Sequence, residues 1–229
     1  MSKNIFTTVP ETTLPCGIVV PSFMVGKYAA SKGEDGKLAV TAEGTPWVRI
    51  NYDEARAACA DAGYKLITES QWLAIAWNLS QQACNWSKGE VGKGKLFRGL
   101  HKGTVGSAQP GTYVSPNKKE NRLMTLSNGE QISDMAGNVW QWVFDDIQGD
   151  ADGIVAKPVT EESPSLCTAP YPSEKKGMGW RPSEGRVGVA PFRGGYWASA
   201  AYSGVFALIL DIDRSSAYGS IGFRPAFVL

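Results

Sequence analysis

Two stretches in the first third of the chain carry apolar residues at helical spacing. The first has the stripe Ala55, Ala58, Cys59 and Ala62. Asn51 and Glu54 have the capping-box spacing that starts a helix, and Gly63 marks its end. The second begins at Thr68, with Gln71 as the capping partner. Its stripe is Trp72, Ile75, Ala76 and Leu79. Two amphipathic helices are therefore predicted.

Short apolar runs bounded by Gly, Pro and polar residues predict strands on both sides of these helices. The runs are residues 17–20, 23–29, 47–50, 192–197, 205–210 and 222–228. Residues 31–36 form a predicted polar turn, and residues 131–144 form a compact apolar block. Residues 80–121 and 145–189 are polar and irregular. Early helices flanked by strands, without a βαβ repeat, indicate an α+β fold in one domain over residues 1–229.

Composition narrows the classes of function. The 229 residues include 26 Gly, 13 Pro and eight Trp, which favours a loop-rich fold with large aromatic core residues. The net charge of +1 gives no footprint for nucleic acid or an anionic membrane. No apolar run reaches membrane-spanning length, and the N-terminus lacks the apolar core of a signal peptide. We therefore expect a protein made in the cytoplasm, without its own export signal and without membrane insertion.

Residues that usually carry catalysis or bind metals are few. The four cysteines stand far apart without a zinc spacing, and we expect reduced, mostly buried thiols. They are Cys16, Cys59, Cys84 and Cys167. His101 is the single histidine, in a Gly- and Lys-rich loop that we expect at the surface. No close carboxylate pair suggests acid–base work. The sequence predicts no catalytic residue, no metal and no cofactor.

The segment from Phe192 to the end alternates between two kinds of position. One kind, the frame residues, has recognisable structural roles: tight backbone turns, core filling and arginine bonds to carbonyl or carboxylate groups. The frame residues are Arg193, Gly194, Gly195, Trp197, Gly204–Leu208, Arg214, Ser215 and Ile221–Arg224. The positions between them share no character, although the segment contains no Lys, Glu, Gln, Met or His. This alternation is typical of a binding surface on a fixed scaffold.

Motifs from Phe23 to the end resemble the formylglycine-generating enzyme family, a variant of the C-type lectin fold. They are residues 26–28 (GKY), 66–72 (LITESQW), 134–142 (DMAGNVWQW), 193–195 (RGG) and 222–224 (GFR). The resemblance implies an α+β, C-type lectin-like fold with long irregular insertions. In that family two cysteines after the Gly-Gly pair bind copper and activate oxygen. Ser199 and Gly204 stand at those positions here, so we expect that chemistry to be lost.

Other metal sites known in related proteins are incomplete in this chain. The iron enzymes of the same fold need three histidines, and only one is present. The calcium-dependent sugar motifs EPN, QPD and WND of lectins are missing. Asp134, the carbonyls of Gly137 and Val139, and Gln141 match calcium ligands of the family. Because Gln141 stands where the family usually has Glu, a charge is lost, and the resemblance leaves calcium binding there open.

The C-terminal segment resembles, more narrowly, the variable proteins of diversity-generating retroelements. In those systems a reverse transcriptase rewrites adenines, mostly in AAC codons for Asn, within the C-terminal repeat of a target gene. The variable region is expected at residues 193–224. Twelve residues, the variable positions, stand where a template would carry Asn. They are Tyr196, Ala198, Ser199, Tyr202, Ile209, Asp211, Ile212, Asp213, Ser216, Tyr218, Gly219 and Ser220. All twelve are reachable from AAC, which chance would give on the order of one time in ten.

The variable positions have the composition of a paratope. The candidate anchors are Tyr196, Tyr202 and Tyr218, since tyrosine offers broad contact at low entropic cost. Ile209 is either an apolar centre of the surface or a buried part of strand packing. Asp211 and Asp213 would favour basic partners.

The sequence therefore predicts a non-enzymatic, hypervariable protein that binds a protein or cell-surface ligand through its variable positions. The expected setting is a phage receptor-binding or tail-associated protein, displayed on a phage particle, or a prophage-encoded equivalent. The resemblance is compatible with an oligomer. Two alternatives stay open: an invariant lectin-like or structural module, and an enzyme of the same fold with an unrecognised site.

Overall fold

The computed structural model describes residues 4–166, 174–181 and 186–228. Within them lie two helices, α1 (Tyr52–Asp61) and α2 (Glu69–Ser80). The strands are β1 (Phe6–Val9), β2 (Thr12–Thr13), β3 (Val19–Val20), β4 (Phe23–Gly26), β5 (Ser31–Lys32), β6 (Leu38–Ala39), β7 (Lys65–Leu66), β8 (Leu123–Thr125), β9 (Gln131–Ser133), β10 (Trp140–Trp142), β11 (Phe192–Gly194), β12 (Gly204–Ile209), β13 (Ile221–Phe223) and β14 (Pro225–Val228).

Both predicted helices are present with their predicted caps. The Asn51 side chain accepts from the backbone N–H of Glu54 (2.9 Å), and the Glu54 carboxylate accepts from the Asn51 N–H (3.0 Å). Thr68 and Gln71 form the same reciprocal pair at α2. The helix α1 buries one face, as its stripe predicts. The helix α2 is buried almost all round, because it packs against residues from both large sheets.

Two four-stranded sheets organise the chain. The first has the strand order β1-β4-β14-β7, and its neighbouring strands are antiparallel. This sheet contains both the first and the last strand of the chain. The second has the order β12-β11-β10-β13, in which β10 and β13 are parallel and the other pairs antiparallel. The hairpins β2–β3, β5–β6 and β8–β9 complete the described sheets. Ile209 is the last residue of β12, and the other eleven variable positions lie on segments that connect strands of the second sheet.

The chain passes from the second sheet to the first at Arg224, between β13 and β14. Its buried guanidinium donates to the Gln141 side-chain oxygen (2.9 Å) and to the carbonyls of Gly26 and Ser133 (2.5 and 2.7 Å). These acceptors lie on β10, β4 and β9. Burial lowers the pKa of Arg224 to about 10, so the group stays protonated at neutral pH. One frame arginine thus ties both large sheets and a hairpin together.

Some local expectations are wrong. Residues 47–50 form no strand, because Arg49 has a left-handed backbone conformation (φ 57°) that interrupts strand geometry. The cysteines are also less buried than expected: Cys59 is buried, whereas Cys16 and Cys84 are exposed. Cys167 lies outside the described residues. Residues 80–121 hold a single 3₁₀ turn and no strand, as predicted.

In the described part of the chain, no helix combines the length and the apolar character needed to cross a membrane. The longer helix has 12 residues, against about 20 for a membrane-spanning helix.

Candidate ligand-binding face

The variable region is anchored by a buried ion pair. Arg193 on β11 donates through both its Nε (2.6 Å) and its Nη2 to the carboxylate of Glu69, the first residue of α2. It also donates to the carbonyls of Phe206 (3.2 Å) and Ser165 (2.7 Å). Burial raises the pKa of the Glu69 carboxyl, and the Arg193 charge opposes that shift. The pair fixes α2, β11 and β12 in one arrangement.

Two glycines of the frame, Gly195 and Gly204, leave no room for a side chain. Gly195 has a left-handed φ of 95°, and a Cβ there would lie 2.7 Å from Ser203 Cα. At Gly204 a Cβ would lie 2.1 Å from the carbonyl carbon of Met178. Gly219 is a variable position and differs: the nearest atom to a Cβ there would be a guanidinium nitrogen of Arg49 at 3.6 Å, an ordinary contact. Frame and variable glycines therefore differ in kind.

Residues 196–202 form a compact loop between β11 and β12. The backbone N–H of Tyr196 donates to the Ser199 hydroxyl (2.9 Å), and the Ser199 N–H donates to the Tyr196 carbonyl (3.0 Å). The Tyr202 N–H then donates to the Ser199 carbonyl (3.0 Å), closing a 3₁₀ turn. Ser199 is buried, whereas Ala198 and Tyr202 are exposed. Ser199 is thus the variable position whose hydroxyl supports the loop from inside.

A second loop, residues 98–103, is hydrogen-bonded to the 196–202 loop. The Arg98 guanidinium donates to the Ala200 carbonyl (3.0 Å), and the Ala200 N–H donates to the carbonyl of His101 (2.8 Å). The Gly103 N–H donates to the Trp197 carbonyl (2.7 Å). Sequence reasoning missed this support, because backbone atoms make most of these bonds and leave no side-chain signature.

The expectation that His101 lies at the surface is wrong. Its side chain is 1% exposed, with Nδ1 2.7 Å from the Gly99 carbonyl. Its Nε2 has no hydrogen-bond partner among the described residues. Burial lowers the pKa of His101 to about 4, so the ring is neutral at pH 7, with the proton on Nδ1 for the bond to Gly99. His101 is part of the internal support of the loop.

An aromatic depression of about 480 Å³ opens beside the 196–202 loop. Five variable positions line it: Tyr196, Ala198, Ser199, Tyr202 and Ile209. The other lining residues are Trp140, Trp180 and Ala200. The Trp180 and Tyr202 rings meet edge to face at 6.4 Å between centroids. Trp140 and Trp142 are core residues, and Trp140 also reaches this depression.

The remaining variable positions lie on residues 211–220, which return to β13. Arg214 anchors this segment: its Nε donates to Asp53 (2.9 Å), and a second nitrogen lies 3.5 Å from Asp152. The Arg49 N–H donates to the Tyr218 carbonyl (3.1 Å). Asp211, Asp213 and Tyr218 are exposed. The half-buried ones are Ile212, Ser216, Gly219 and Ser220.

Three variable side chains connect the two halves of the region. Tyr196, Ile209 and Ile212 are half-buried and pack against the same core cluster, which includes Trp140 and Phe192. Ile209 packs on the sheet and also lines the depression. Eleven of the twelve variable positions reach solvent, and Ser199 is the exception.

The residues that match a family calcium site do not fit calcium here. Arg122 donates to both carboxylate oxygens of Asp134, with Nε–Oδ1 at 2.9 Å and Nη2–Oδ2 at 2.5 Å. Gln141 donates to the Asp134 carbonyl (2.8 Å) and accepts from Arg224 (2.9 Å). The side-chain oxygens that a calcium ion would need are already bonded to guanidinium and amide groups. Arg122 and Arg224 supply the positive charges in this buried network.

The positions of the family's copper ligands do not fit copper either. Ser199 offers a hydroxyl that already accepts the Tyr196 N–H, and Gly204 has no space for any side chain. Neither supplies the thiolate that the copper chemistry requires. Among residues 4–166, 174–181 and 186–228, no three His, Cys, Asp or Glu side chains come together as a metal site.

Comparison with known proteins agrees with this architecture. The model of a family described as the sulfatase-modifying factor enzyme 1-like domain matches residues 20–227. No curated protein matches the chain in sequence. Treponema denticola variable protein 1 is similar in structure, with a TM-score of 0.54 and 16% identity over 98% of this chain and 94% of that one. The Major Tropism Determinant M1 variant has a TM-score of 0.51 and 14% identity over 90% of this chain, which spans 50% of that protein. The predicted α+β, C-type lectin-like fold of the formylglycine-generating enzyme type is confirmed.

Proposed function

We propose that this chain, which belongs to the family of sulfatase-modifying factor enzyme 1-like domains, is a non-enzymatic ligand-binding protein diversified by a retroelement. The observation that carries the proposal is the difference in burial between the frame residues and the variable positions of its C-terminal segment. Frame residues such as Arg193 and Arg224 are fully buried and bonded, whereas eleven of the twelve variable positions reach solvent. Side chains that reach solvent from a fixed scaffold can change without loss of the fold.

The glycines support the same division. Gly204 stands where nothing larger fits, whereas Gly219 stands where a side chain would meet only an ordinary contact. Random rewriting would need this property: codons that change must lie where any product is tolerated, and codons that cannot change must be spared.

The face also has the chemistry of a recognition surface. Tyr202 and Tyr218 are 55% and 52% exposed, and the small or charged side chains of Ala198, Asp211 and Asp213 are exposed as well. Tyrosine anchors among small residues suit protein recognition. The ligand we propose is a protein or another cell-surface molecule.

A binding function is favoured over catalysis by the two positions that carry oxidase chemistry in this family. Ser199 and Gly204 offer no thiolate, and Gly204 could not accept a cysteine without displacing the Met178 backbone. Metal analysis of the purified protein tests this part of the proposal. We expect no copper or iron above trace level; either metal at one equivalent per chain would contradict it.

The setting we propose is a phage particle, with the protein as its receptor-binding or tail-associated component, or a prophage-encoded equivalent. The resemblance of the C-terminal segment to retroelement variable proteins supports this setting. A structural neighbour is titled a tropism determinant, and choice of host is a role that a changeable binding face suits. Immunogold labelling of intact particles should decorate their tails, and labelling confined to the host cytoplasm would contradict the setting.

Sequencing the DNA around the gene tests the diversification directly. We expect a reverse-transcriptase gene and a near-copy of the codons for residues 193–224. Differences between copy and gene should fall at adenines of the copy, at the variable positions. The frame codons serve as the internal control and should be identical. A locus with neither feature would overturn the proposal and favour an invariant lectin-like module.

A further inference from the structure

The depression beside the 196–202 loop is lined partly by variable positions and partly by residues outside them. Trp140 and Trp180 lie outside the variable positions, and backbone bonds fix both to the C-terminal segment. The Trp140 N–H donates to the Ser220 carbonyl (2.9 Å), and the Trp180 N–H donates to the Tyr202 carbonyl (3.0 Å). The Leu208 N–H in turn donates to the Trp180 carbonyl (3.1 Å). These bonds involve backbone atoms only, so rewriting the variable codons would change the side chains around the two indoles and leave in place the backbone that carries them.

The lining is mostly apolar. None of its described residues carries a charge, and its surface is formed mainly by indole, phenol, alanine and isoleucine groups. Ser199 is the one lining hydroxyl on a small side chain, and it is already engaged with the Tyr196 N–H. A depression of about 480 Å³ with such walls suits one large apolar side chain better than a sugar, whose hydroxyl groups would lose hydrogen bonds to water.

Acidic groups lie next to this apolar lining. Asp211 follows Ile209 by two residues, a distance of at most about 7 Å between Cα atoms. Asp213 is also exposed, and its Oδ1 accepts from the Ser215 N–H (2.8 Å) and hydroxyl (2.7 Å). In the described part of the chain, neither aspartate belongs to an ion pair. These bonds from Ser215 lower the pKa of Asp213, which keeps it ionised.

Two arginines face the acidic pair. Arg214 is held by Asp53 and Asp152, so its charge is already compensated. The Arg186 guanidinium donates to the backbone carbonyl of Asp211 (2.9 Å) and compensates one carboxylate at most. One negative charge therefore remains beside the depression.

We infer that the depression takes a large aromatic side chain of a protein ligand and that a neighbouring basic residue of the ligand faces Asp211 and Asp213. The inference rests on the proposed function, since it takes the variable face as the binding face. Because Trp140 and Trp180 stay constant, it adds a preference that rewriting would not erase: different versions of the protein should all favour an apolar anchor and differ in what surrounds it.

Capped dipeptides test this inference by nuclear magnetic resonance. N-acetyl-Trp-Arg-amide, N-acetyl-Trp-Glu-amide, N-acetyl-Gly-Arg-amide and methyl β-glucoside would each be titrated into the labelled protein, with the indole N–H signals of Trp140 and Trp180 as reporters. We expect millimolar binding of the Trp-Arg peptide, at least threefold weaker binding of the Trp-Glu peptide, and no shift with the other two. Absence of shifts with both Trp peptides, or an equal response to the glucoside, would overturn the inference.

Variants separate the two parts of the inference. Asp211→Asn with Asp213→Asn should abolish the preference for Arg over Glu, whereas Asp61→Asn, an exposed aspartate on α1, is the matched control and should keep it. Ala198→Glu places a charge on the exposed lining and should weaken Trp-Arg binding at least fivefold. Tyr202→Ala should weaken it similarly, provided that the dispersed spectrum shows a folded protein. An unchanged Arg preference in the double aspartate variant would refute the acidic part.

The outcomes are independent of the test by DNA sequencing. A template beside the gene with no binding of Trp peptides would leave the proposed function standing and remove the inference. Binding of Trp peptides without a template would leave the site standing as part of an invariant protein.

Discussion

At the scale of single residues, the space available to a Cβ atom determines which positions of the C-terminal segment can accept a substitution. Gly204 begins β12 against the backbone of residues 178 and 179, at distances below any real Cβ contact. Gly219 lies on the returning segment, near the flexible end of Arg49. Neither glycine's immediate neighbours show how much space its Cβ has, so the sequence separates the two only through the resemblance to retroelement variable proteins.

Replacing each of these glycines with serine gives a direct comparison. Gly204→Ser should destabilise the protein by about 3 kcal/mol or prevent folding, because the added atoms overlap the Met178 carbonyl. Gly219→Ser should change the free energy of unfolding by less than about 0.5 kcal/mol. Urea unfolding of the two variants measures the difference, and equal losses would contradict the division between frame and variable positions.

The buried pair of Arg193 and Glu69 makes a second residue-scale prediction. Arg193→Met removes the cation that contacts the buried Glu69 carboxylate and should cost about 3–5 kcal/mol. Changing Glu69→Gln in the same chain should recover part of the loss, since no charge is then left unpaired. A cost below about 1 kcal/mol for Arg193→Met, measured by chemical denaturation, would show that the pair does not anchor the segment.

At the scale of elements, the loop of residues 98–103 holds the variable loop, and His101 makes that support sensitive to acid. The folded-state pKa of His101, about 4, lies below the unfolded value of about 6.5. Its contribution is therefore fully present above pH 6.5 and is lost as the pH falls towards 4. The loss at pH 4 should approach about 3 kcal/mol. His101→Gln should flatten this part of the stability profile, and identical profiles would contradict the assignment.

Elements differ in how well the sequence predicts them. The helices α1 and α2 follow from local signals, since their caps and stripes lie within a few residues of each other. The strand expected at residues 47–50 fails because the left-handed Arg49 serves contacts with distant Tyr218. The support by residues 98–103 is invisible in the sequence because it is a pairing of backbone groups about 100 residues apart.

At the scale of the whole molecule, the order of short motifs predicts the fold, because residues of these motifs form buried hydrogen bonds between distant elements. Arg224 and Gln141 bond to each other across 83 residues, and Arg193 and Glu69 across 124. The variable positions are predicted separately, from the resemblance of the C-terminal segment to retroelement variable proteins. The sequence does not reveal that Ser199 points inward, that Trp180 joins the depression, or that Arg122 fills the role of a cation, since these depend on contacts between distant segments.

In the proposed function, frame residues carry the fold and variable positions carry the binding face. Saturation mutagenesis of residues 192–224, read out by protease resistance of the displayed protein, tests it most directly. We expect nearly all substitutions to be tolerated at the other solvent-reaching variable positions, a partial loss at Tyr196, Ile209 and Ile212, which pack on the core, and most to be lost at the buried frame residues. Ser199 should be intermediate, because its hydroxyl bonds inside the loop. A uniform tolerance across the segment, or losses at the variable positions as severe as at Arg193 and Gly204, would contradict the claim.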